Sequence, residues 1–154
     1  MTKKISDNQS GYSAIELVLL AVVVIVLASI LISAYGGLRI RERNNTRIAD
    51  MKTLELNLEI FYARSGFYPS LTELNSPTWT SANIKQVPAG DLIDPGSKTN
   101  TQLFLQSSTK TNFGYDVSSS SGTTCNNKTV ACNQYVLSAV LEGGSGTFKE
   151  KSLN

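Results

Sequence analysis

The sequence predicts an α+β protein, in which one long amino-terminal helix packs on a small antiparallel β-sheet. Three patterns support this class. Residues 17–38 form an apolar run without a charged side chain, a helix-period apolar stripe follows to about residue 62, and short segments of alternating polarity close the chain. Since the chain has 154 residues, the part beyond the apolar run suffices for one small domain.

The apolar run is long enough to cross a membrane, because about 20 apolar residues in a helix span the hydrocarbon core. Glu16 stands at its head, where an ionised carboxylate costs a few kcal/mol unless it has a partner. A secretory signal has a shorter apolar core, of about 7–15 residues. An ordinary single-pass anchor fits the length but gives no reason for the carboxylate. A buried helix of a soluble protein is seldom apolar on every side.

The residues around this carboxylate resemble the amino-terminal signature of type IV pilins and of the related type II secretion pseudopilins. That signature is a short basic leader ending in glycine, an aromatic residue, a glutamate four positions on and an unbroken apolar run. Gly11, Tyr12 and Glu16 occupy these places here. The resemblance implies that a prepilin peptidase cuts after Gly11 and methylates the new amino terminus at Tyr12, where the family more often has Phe.

The same resemblance implies a partner for Glu16, namely the terminal amine of a neighbouring subunit in a helical filament. Cleavage also creates an ammonium group on Tyr12 itself. Because Tyr12 lies four positions before Glu16, we expect both groups on one helix face, so that a monomer can partly neutralise itself in lipid.

The function implied is that of a structural subunit, in the first place a major pilin, of a type IV pilus serving adhesion, motility or DNA uptake. Its implied partners are other copies of the chain, the prepilin peptidase, and the pilus assembly platform with its ATPase. A pseudopilin of a type II secretion-like or competence filament is the near alternative, because both use the same assembly chemistry. An uncleaved, membrane-tethered binding module is the alternative from a different class.

The implied fold is the type IV pilin fold, whose long helix has a transmembrane half and an amphipathic half. Before assembly the precursor would lie in the cytoplasmic membrane as a single-pass protein, with its leader in the cytoplasm and its head outside. After assembly it would belong to a surface pilus. The expected segments are a leader at 1–11, a membrane and filament-core helix at 12–38, an amphipathic helix at 39–65 and a globular head at 66–154.

The basic residues near the apolar run disagree with this orientation, since lysine and arginine usually concentrate on the cytoplasmic side. Two lysines precede the run and four arginines follow it closely. We interpret the arginines as a solvated helix or a lipid-headgroup flank, and not as a nucleic-acid site, because the six lysines after residue 64 are matched by six carboxylates. The residues near the run are Lys3 and Lys4 before it, and Arg39, Arg41, Arg43 and Arg47 after it.

The amphipathic half of the helix carries two apolar faces, and we expect a different partner for each. The broad face should pack under the head. The narrow face should meet the helices of other subunits, although small residues could also fall there by chance. The broad face contains Ile40, Ile48, Met51, Leu54, Leu58, Phe61 and Tyr62, and the narrow one Ala49, Thr53, Leu56, Ile60 and Ala63.

Two adjacent glycines, Gly36 and Gly37, separate the two halves of the helix. Glycine costs a helix interior about 1 kcal/mol relative to alanine, so the pair predicts a hinge. In many relatives a Pro or Gly lies farther into the apolar run, where part of the helix unravels in the filament. Any local melting here should centre on Gly36 and Gly37.

The segment after the helix is expected to be loop-like. The helix should end near Ser65 and Gly66, and the sequence from Ser70 to Glu73 matches a capping box that opens a short helical turn. Prolines then predict a connecting region to about residue 100. Within it, residues 94–96 resemble the Asp-Pro turn of the major pseudopilins, but no acidic cluster matches their calcium site.

Cys125 and Cys132 lie in a Ser/Thr/Asn-rich loop of the part expected outside the cytoplasm, so we expect them to form a disulfide. Two thiolates in a chain without histidine make a poor zinc site, and neither a metal nor a cofactor is predicted. Asn127 begins a match to a glycosylation sequon, a pattern short enough to occur by chance.

Three segments have the alternation of β-strands, at residues 113–117, 134–141 and 147–151. The glycines at 143–146 should make the last two a hairpin. Residues 103–105 could form a further strand or a helical turn. Enzymatic activity is not predicted, because the chain has no histidine and no evident pair of carboxylates for acid–base chemistry.

Overall fold

The structure is a computed structural model that describes residues 12–154, without the side chains of residues 33 and 34. Its largest element is helix α1, which runs over Ala14–Ser65. The chain divides into two compact units between Arg39 and Ile40. The predicted leader, with the cleavage residue Gly11, lies outside the described residues.

The first unit contains the apolar part of α1. The helix assignment continues through Gly36 and Gly37, and a Cβ atom built on either glycine would meet nothing within 4 Å. No close packing therefore requires glycine at these positions within the described chain. The hinge stays a prediction, because a single helical conformation does not measure how easily the helix bends.

The second unit combines the rest of α1 with two short helices and one sheet, so the α+β class is confirmed. Helix α2 spans Leu71–Leu74 and helix α3 spans Pro77–Asn83, and a single 3₁₀ turn covers Ala89–Leu92. The sheet is antiparallel with strand order β1-β2-β3. Its strands are β1 Gly114–Ser118, β2 Gln134–Val140 and β3 Thr147–Lys151.

The ends of these elements follow the local chemistry that the sequence predicts. Helix α1 ends at Ser65, and Gly66 adopts φ 77°, the left-handed conformation that favours glycine at a helix end. Ser70 and Glu73 form the predicted capping box at the start of α2. Strands β2 and β3 form the predicted hairpin, whose turn contains three glycines with positive φ.

The connecting region was wrongly predicted in one respect, because it contains α3. Pro77 is the first residue of this helix, where the missing N–H of proline costs no hydrogen bond, and the Ser76 side chain caps the helix by accepting from the Trp79 backbone. Proline there starts a helix instead of preventing one. Residues 103–105 form neither strand nor helix; Leu105 makes an isolated parallel bridge to Gly114.

The core of the second unit lies between α1 and the sheet. The α1 side chains of Met51, Leu54 and Leu58 are fully buried, as the broad apolar face predicts. On the sheet, Tyr115, Leu137 and Ala139 are fully buried as well. The connecting segments contribute further core residues, which include Tyr68, Leu74, Ile84, Leu92, Phe104 and Phe113.

Candidate functional site

The first unit presents an exposed apolar surface along α1. Every side chain described between residues 12 and 38 is exposed, and the large apolar ones range from Val23 at 49% to Ile32 at 75% within the helix. This segment is long and apolar enough to cross a membrane by length and composition. In folded proteins, exposed apolar surfaces of this size mark sites of contact with a membrane or another protein.

Glu16 lies in the first turn of α1 and is exposed. The backbone N–H groups of Glu16 and Leu17 donate to the Ser13 carbonyl at 2.9 and 3.2 Å, so Ser13 is the residue that precedes the helix. Glu16 is thus the third helical residue, where the positive end of the helix dipole favours a carboxylate. The Ser-x-x-Glu spacing also fits a capping box, a local reason for this acid that the sequence reasoning missed.

Tyr12 is 77% exposed and lies before the first helical residue, Ala14. Tyr12 therefore precedes the first turn of α1 in the uncleaved chain, and the expected approach of its new amine to Glu16 after cleavage stays a prediction. The structure leaves both side chains accessible to other partners.

The narrow apolar face of α1 in the second unit is largely exposed. Leu56 is 62% exposed and Ile60 37%, Ala49 and Ala63 are exposed too, and only Thr53 is half-buried. Leu56 is thus mostly uncovered, whereas Met51, Leu54 and Leu58 on the broad face of the helix are fully buried. The two faces thus differ as the sequence pattern predicts.

A cluster of ionic and amide groups connects α1 to the rest of the second unit. Arg47, which is fully buried, donates from Nε and Nη2 to the two carboxylate oxygens of Asp94 at 3.0 and 2.9 Å. Its Nη1 donates to Glu142 at 2.7 Å, and Arg43 donates to the same carboxylate from Nε at 2.8 Å. We call these residues, together with Asn44, the arginine clamp.

Asn44 completes the clamp through the backbone. Its side-chain oxygen accepts from the Glu142 N–H at 2.8 Å, and its side-chain nitrogen donates to the Glu142 carbonyl at 3.1 Å. Hydrogen bonds from Arg43 and then Arg47 lower the pKa of the Glu142 carboxyl to about 2. Gly96 lies against the clamp, since a Cβ atom there would come within 2.7 Å of Arg47 Nη2. The clamp therefore fixes α1 against the β2–β3 turn and the 94–96 loop.

The clamp corrects the interpretation of the arginines as a solvated or headgroup flank, which fails for Arg47. A signal for this was present, because Asn44 and Arg47 continue the seven-residue spacing of Met51, Leu54 and Leu58 toward the amino terminus. A polar residue at a core position of this pattern needs a buried partner. The partners themselves lie too far along the chain for any local pattern to reveal.

Asp50 is a buried acid on α1, 7% exposed, and no donor among the described residues hydrogen-bonds to its carboxylate. Burial raises the pKa of Asp50 to about 7, and the negative charges of Asp91 and Asp94 add to the effect. This carboxyl stays largely protonated in mildly acidic solution. It makes the second unit sensitive to pH near neutrality.

Glu59 joins the carboxyl-terminal part of α1 to the sheet. Its carboxylate accepts from the Tyr68 hydroxyl at 2.9 Å and from the Tyr135 hydroxyl at 2.9 Å. Burial raises the pKa of Tyr68 to about 12, so the phenol remains a donor at any ordinary pH. The Tyr68 ring stacks on Tyr62, with ring centroids 4.4 Å apart.

The predicted disulfide between Cys125 and Cys132 is present. Inside the loop that it closes, Asn127 adopts φ 57° and uses its side chain three times. It donates to the Tyr68 carbonyl at 2.8 Å and to the Glu73 carboxylate at 2.9 Å, and it accepts from the Cys132 N–H at 2.9 Å. The sequon asparagine is thus part of the structure that fixes the loop.

Within residues 12–154, no three side chains of Cys, Asp or Glu converge as a metal site would require. The chain matches no protein-family model, no curated protein and no solved structure.

Proposed function

We propose that this chain is a pilin, the structural subunit of a type IV pilus, made as a single-pass membrane precursor and polymerised through its amino-terminal helix. The observation that carries the proposal is the uninterrupted apolar surface of α1, exposed on all sides and headed by the single carboxylate of Glu16. The pilin fold is part of the proposal, and the long helix with a small antiparallel sheet is consistent with it.

An apolar surface on all sides suits two successive environments. In the membrane, lipid chains would cover it, and in a filament the same helices of neighbouring subunits would replace the lipid. Both surroundings are apolar, so transfer between them exposes little of the helix to water. An ordinary anchor needs only the first environment.

Glu16 gives the polymer its register in this proposal. An acid at the edge of an apolar helix needs a cation, and cleavage after Gly11 would create one as the amine of Tyr12. At an effective dielectric constant of about 20, two unit charges 4 Å apart attract by roughly 4 kcal/mol before desolvation is subtracted. A pair with the amine of a neighbouring subunit would therefore select one helix offset more than it would add bulk stability.

The second unit would form the head, and the narrow apolar face of α1 supports contact with further subunits. Leu56 and Ile60 are exposed although the opposite face is packed by Met51 and Leu54. The arginine clamp and the bonds to Glu59 fix the sheet on α1, as a subunit under mechanical load requires. A pseudopilin would share these features.

Filaments sheared from cells provide the main test. We expect their principal protein to be this chain, beginning at a methylated Tyr12 when its terminal peptide is analysed by mass spectrometry. A chain that keeps Met1 and occurs only in membranes would support the tethered module and contradict the proposal. High abundance in the filaments would favour a major pilin over a minor one, and location in a secretion or competence filament would indicate a pseudopilin.

Substitutions of Glu16 separate the pairing role from the capping role. Glu16→Gln keeps a side chain that suits the third helical position but removes the charge. If Glu16 pairs with an amine, both Glu16→Gln and Glu16→Ala should lose filaments, whereas a capping role predicts that Glu16→Gln assembles normally. Glu42→Ala, which removes an exposed acid elsewhere on α1, serves as the matched control.

A further inference from the structure

The carboxyl-terminal end of the first unit has an arrangement that the filament does not explain. Arg39 Nη2 donates to the Tyr35 hydroxyl at 2.8 Å, and the Arg39 guanidinium carbon lies 4.6 Å from the centre of the Tyr35 ring. Tyr35 thus holds the guanidinium both by a hydrogen bond and by a cation–π contact. Among the described residues, no carboxylate forms an ion pair with Arg39.

The chemistry of this pair favours an anion with several oxygens. A guanidinium carries five N–H donors and no acceptor, and the hydrogen bond to Tyr35 uses only one of them. The Tyr35 hydroxyl accepts from Arg39, so its own proton remains free to be donated. The pair therefore presents donors and a positive charge to solvent, which matches a phosphate group.

Next to the pair lies a shallow groove of about 440 Å³, lined by Leu31, Ile32, Tyr35 and Leu38. All four side chains are more than half exposed. A phosphate site that continues into an apolar groove fits a molecule with a charged head and a hydrocarbon chain. Free inorganic phosphate would make no use of the groove.

The position along the helix points to the same ligand. Tyr35 lies nineteen positions after Glu16, which corresponds to about 28 Å of helix, close to the hydrocarbon thickness of about 30 Å. With Glu16 at one boundary of the bilayer, Tyr35 lies at the other. Tyrosine and arginine are the side chains that prefer this boundary, because each has an apolar body and a polar tip.

We propose that Tyr35 and Arg39 bind the headgroup of an anionic phospholipid, with its acyl chain along the groove of Leu31, Ile32 and Leu38. This inference depends on the membrane stage of the proposed function. It assigns to the site a selectivity for lipid charge, which a purely apolar anchor would not have. The bound lipid would hold the subunit at a fixed depth until assembly.

The test uses the full chain in phosphatidylcholine vesicles that contain a trace of spin-labelled lipid. Electron spin resonance measures the fraction of label restricted by the protein, first for phosphatidylglycerol and then for phosphatidylcholine. We expect a preference for phosphatidylglycerol of about two- to fivefold, the size expected from one arginine beside an anionic headgroup. The preference should decrease in 1 M salt, where the Debye length is about 3 Å.

Single substitutions test which residues produce the preference for phosphatidylglycerol. Arg39→Gln should reduce the preference by at least about twofold, and Tyr35→Phe, which loses only the hydroxyl, by a smaller amount. Lys52→Gln removes one exposed positive charge in the second unit and should leave the preference unchanged. An equal reduction in Lys52→Gln, or none in Arg39→Gln, would overturn the inference.

Failure of the headgroup site and failure of the proposed function give different results in this experiment. If the chain inserts into the vesicles but restricts both lipids equally, the headgroup site is wrong and the proposed function stands. If the chain does not co-float with vesicles of either composition, the membrane stage of the proposed function is wrong, and the headgroup site with it.

Discussion

Arg47 and Asp94 form a bidentate ion pair, with donor–acceptor distances of 3.0 and 2.9 Å and no solvent exposure of either side chain. The two residues are 47 positions apart, so the pair connects α1 to a distant loop. Removing two charges from water costs several kcal/mol per ion, which their attraction repays only with good geometry. The pair is thus better evidence for a specified position than for large net stability.

Replacing Arg47 alone should be strongly destabilising. Arg47→Ala leaves Asp94 buried without its cation, so we expect a loss of about 3–5 kcal/mol in the free energy of unfolding, measured by urea titration in detergent. Lys85→Ala, which removes an exposed cation, should change this free energy by less than about 0.5 kcal/mol.

A double variant tests whether the loss comes from the unpaired charge. Arg47→Met combined with Asp94→Leu removes both ions and should recover a large part of the stability that Arg47→Ala loses. If the double variant is as unstable as Arg47→Ala, the loss of stability comes from the missing packing of the two side chains and not from an unpaired charge.

Asp50 should make the protein less stable as the pH rises toward neutrality. Its carboxyl has a pKa of about 7 when folded, above the ordinary value of 3.8, because of burial first and then the charges of Asp91 and Asp94. At a pH between these two values, Asp50 is ionised in the unfolded chain but still protonated in the folded chain. Its contribution to the free energy of unfolding therefore decreases as the pH rises through this interval and is lost above about pH 7.

Asp50→Asn removes this titration. We expect it to stabilise the protein by roughly 2–4 kcal/mol relative to wild type at pH 8 and to have much less effect at pH 4, in urea titrations at both values. Asp116→Asn, at an exposed carboxylate, is the control. Equal effects of Asp50→Asn at both pH values would contradict the raised pKa.

Glu142 should have the opposite pH dependence. Hydrogen bonds from Arg43 and Arg47 lower the pKa of its carboxyl from 4.5 to about 2. The stabilisation is therefore complete above about pH 4.5 and is lost as the pH decreases through 2. Glu142→Gln should destabilise the protein by about 1–3 kcal/mol at pH 6, with a difference from wild type that becomes smaller on acidification. If the difference in stability between Glu142→Gln and wild type did not change with pH, Glu142 would stabilise the protein by packing and not by its charge.

The local features of the fold were predictable, because neighbouring residues determine them. Gly66 at the end of α1, the capping box of Ser70 and Glu73, and the glycines of the β2–β3 turn each depend on residues a few positions apart. The disulfide followed from the two cysteines. The exposed apolar part of α1 was evident from composition alone.

The arginine clamp could not be predicted in the same way, because its partners lie 47 and 95 positions from Arg47. Four arginines in nine residues suggest a solvated surface, and the seven-residue spacing that places Arg47 on the core face does not identify its distant partners. Helix α3 departs from the prediction for a different reason. Prolines in a sequence predict a connecting region, but proline at the first helical position favours a helix.

Asn127 should be a structural residue and not a glycosylation acceptor, since its side chain makes three hydrogen bonds. Asn127→Gly keeps the positive φ without strain and loses only the side chain. We expect a loss of about 1–3 kcal/mol in the free energy of unfolding. Asn126→Gly makes the same change at the exposed neighbouring residue, whose side chain caps the same turn, and its free energy of unfolding is compared with that of Asn127→Gly. A glycan on Asn127 in the intact mass of the protein isolated from its cells would contradict this assignment.

The narrow apolar face of α1 provides the test of contact between subunits. Leu56 is 62% exposed in the single chain, so Leu56→Gln removes little packing inside the second unit and should change the free energy of unfolding by less than about 0.5 kcal/mol. In a filament the same residue would lie between helices, where an unpaired amide costs about 1–3 kcal/mol for each subunit. Because that cost is repeated along the polymer, we expect a large decrease in the yield of sheared filaments.

Leu103→Gln makes the same chemical change at a loop residue that is 44% exposed and should leave the yield unchanged. Normal filaments from Leu56→Gln would show that this face contacts no other subunit.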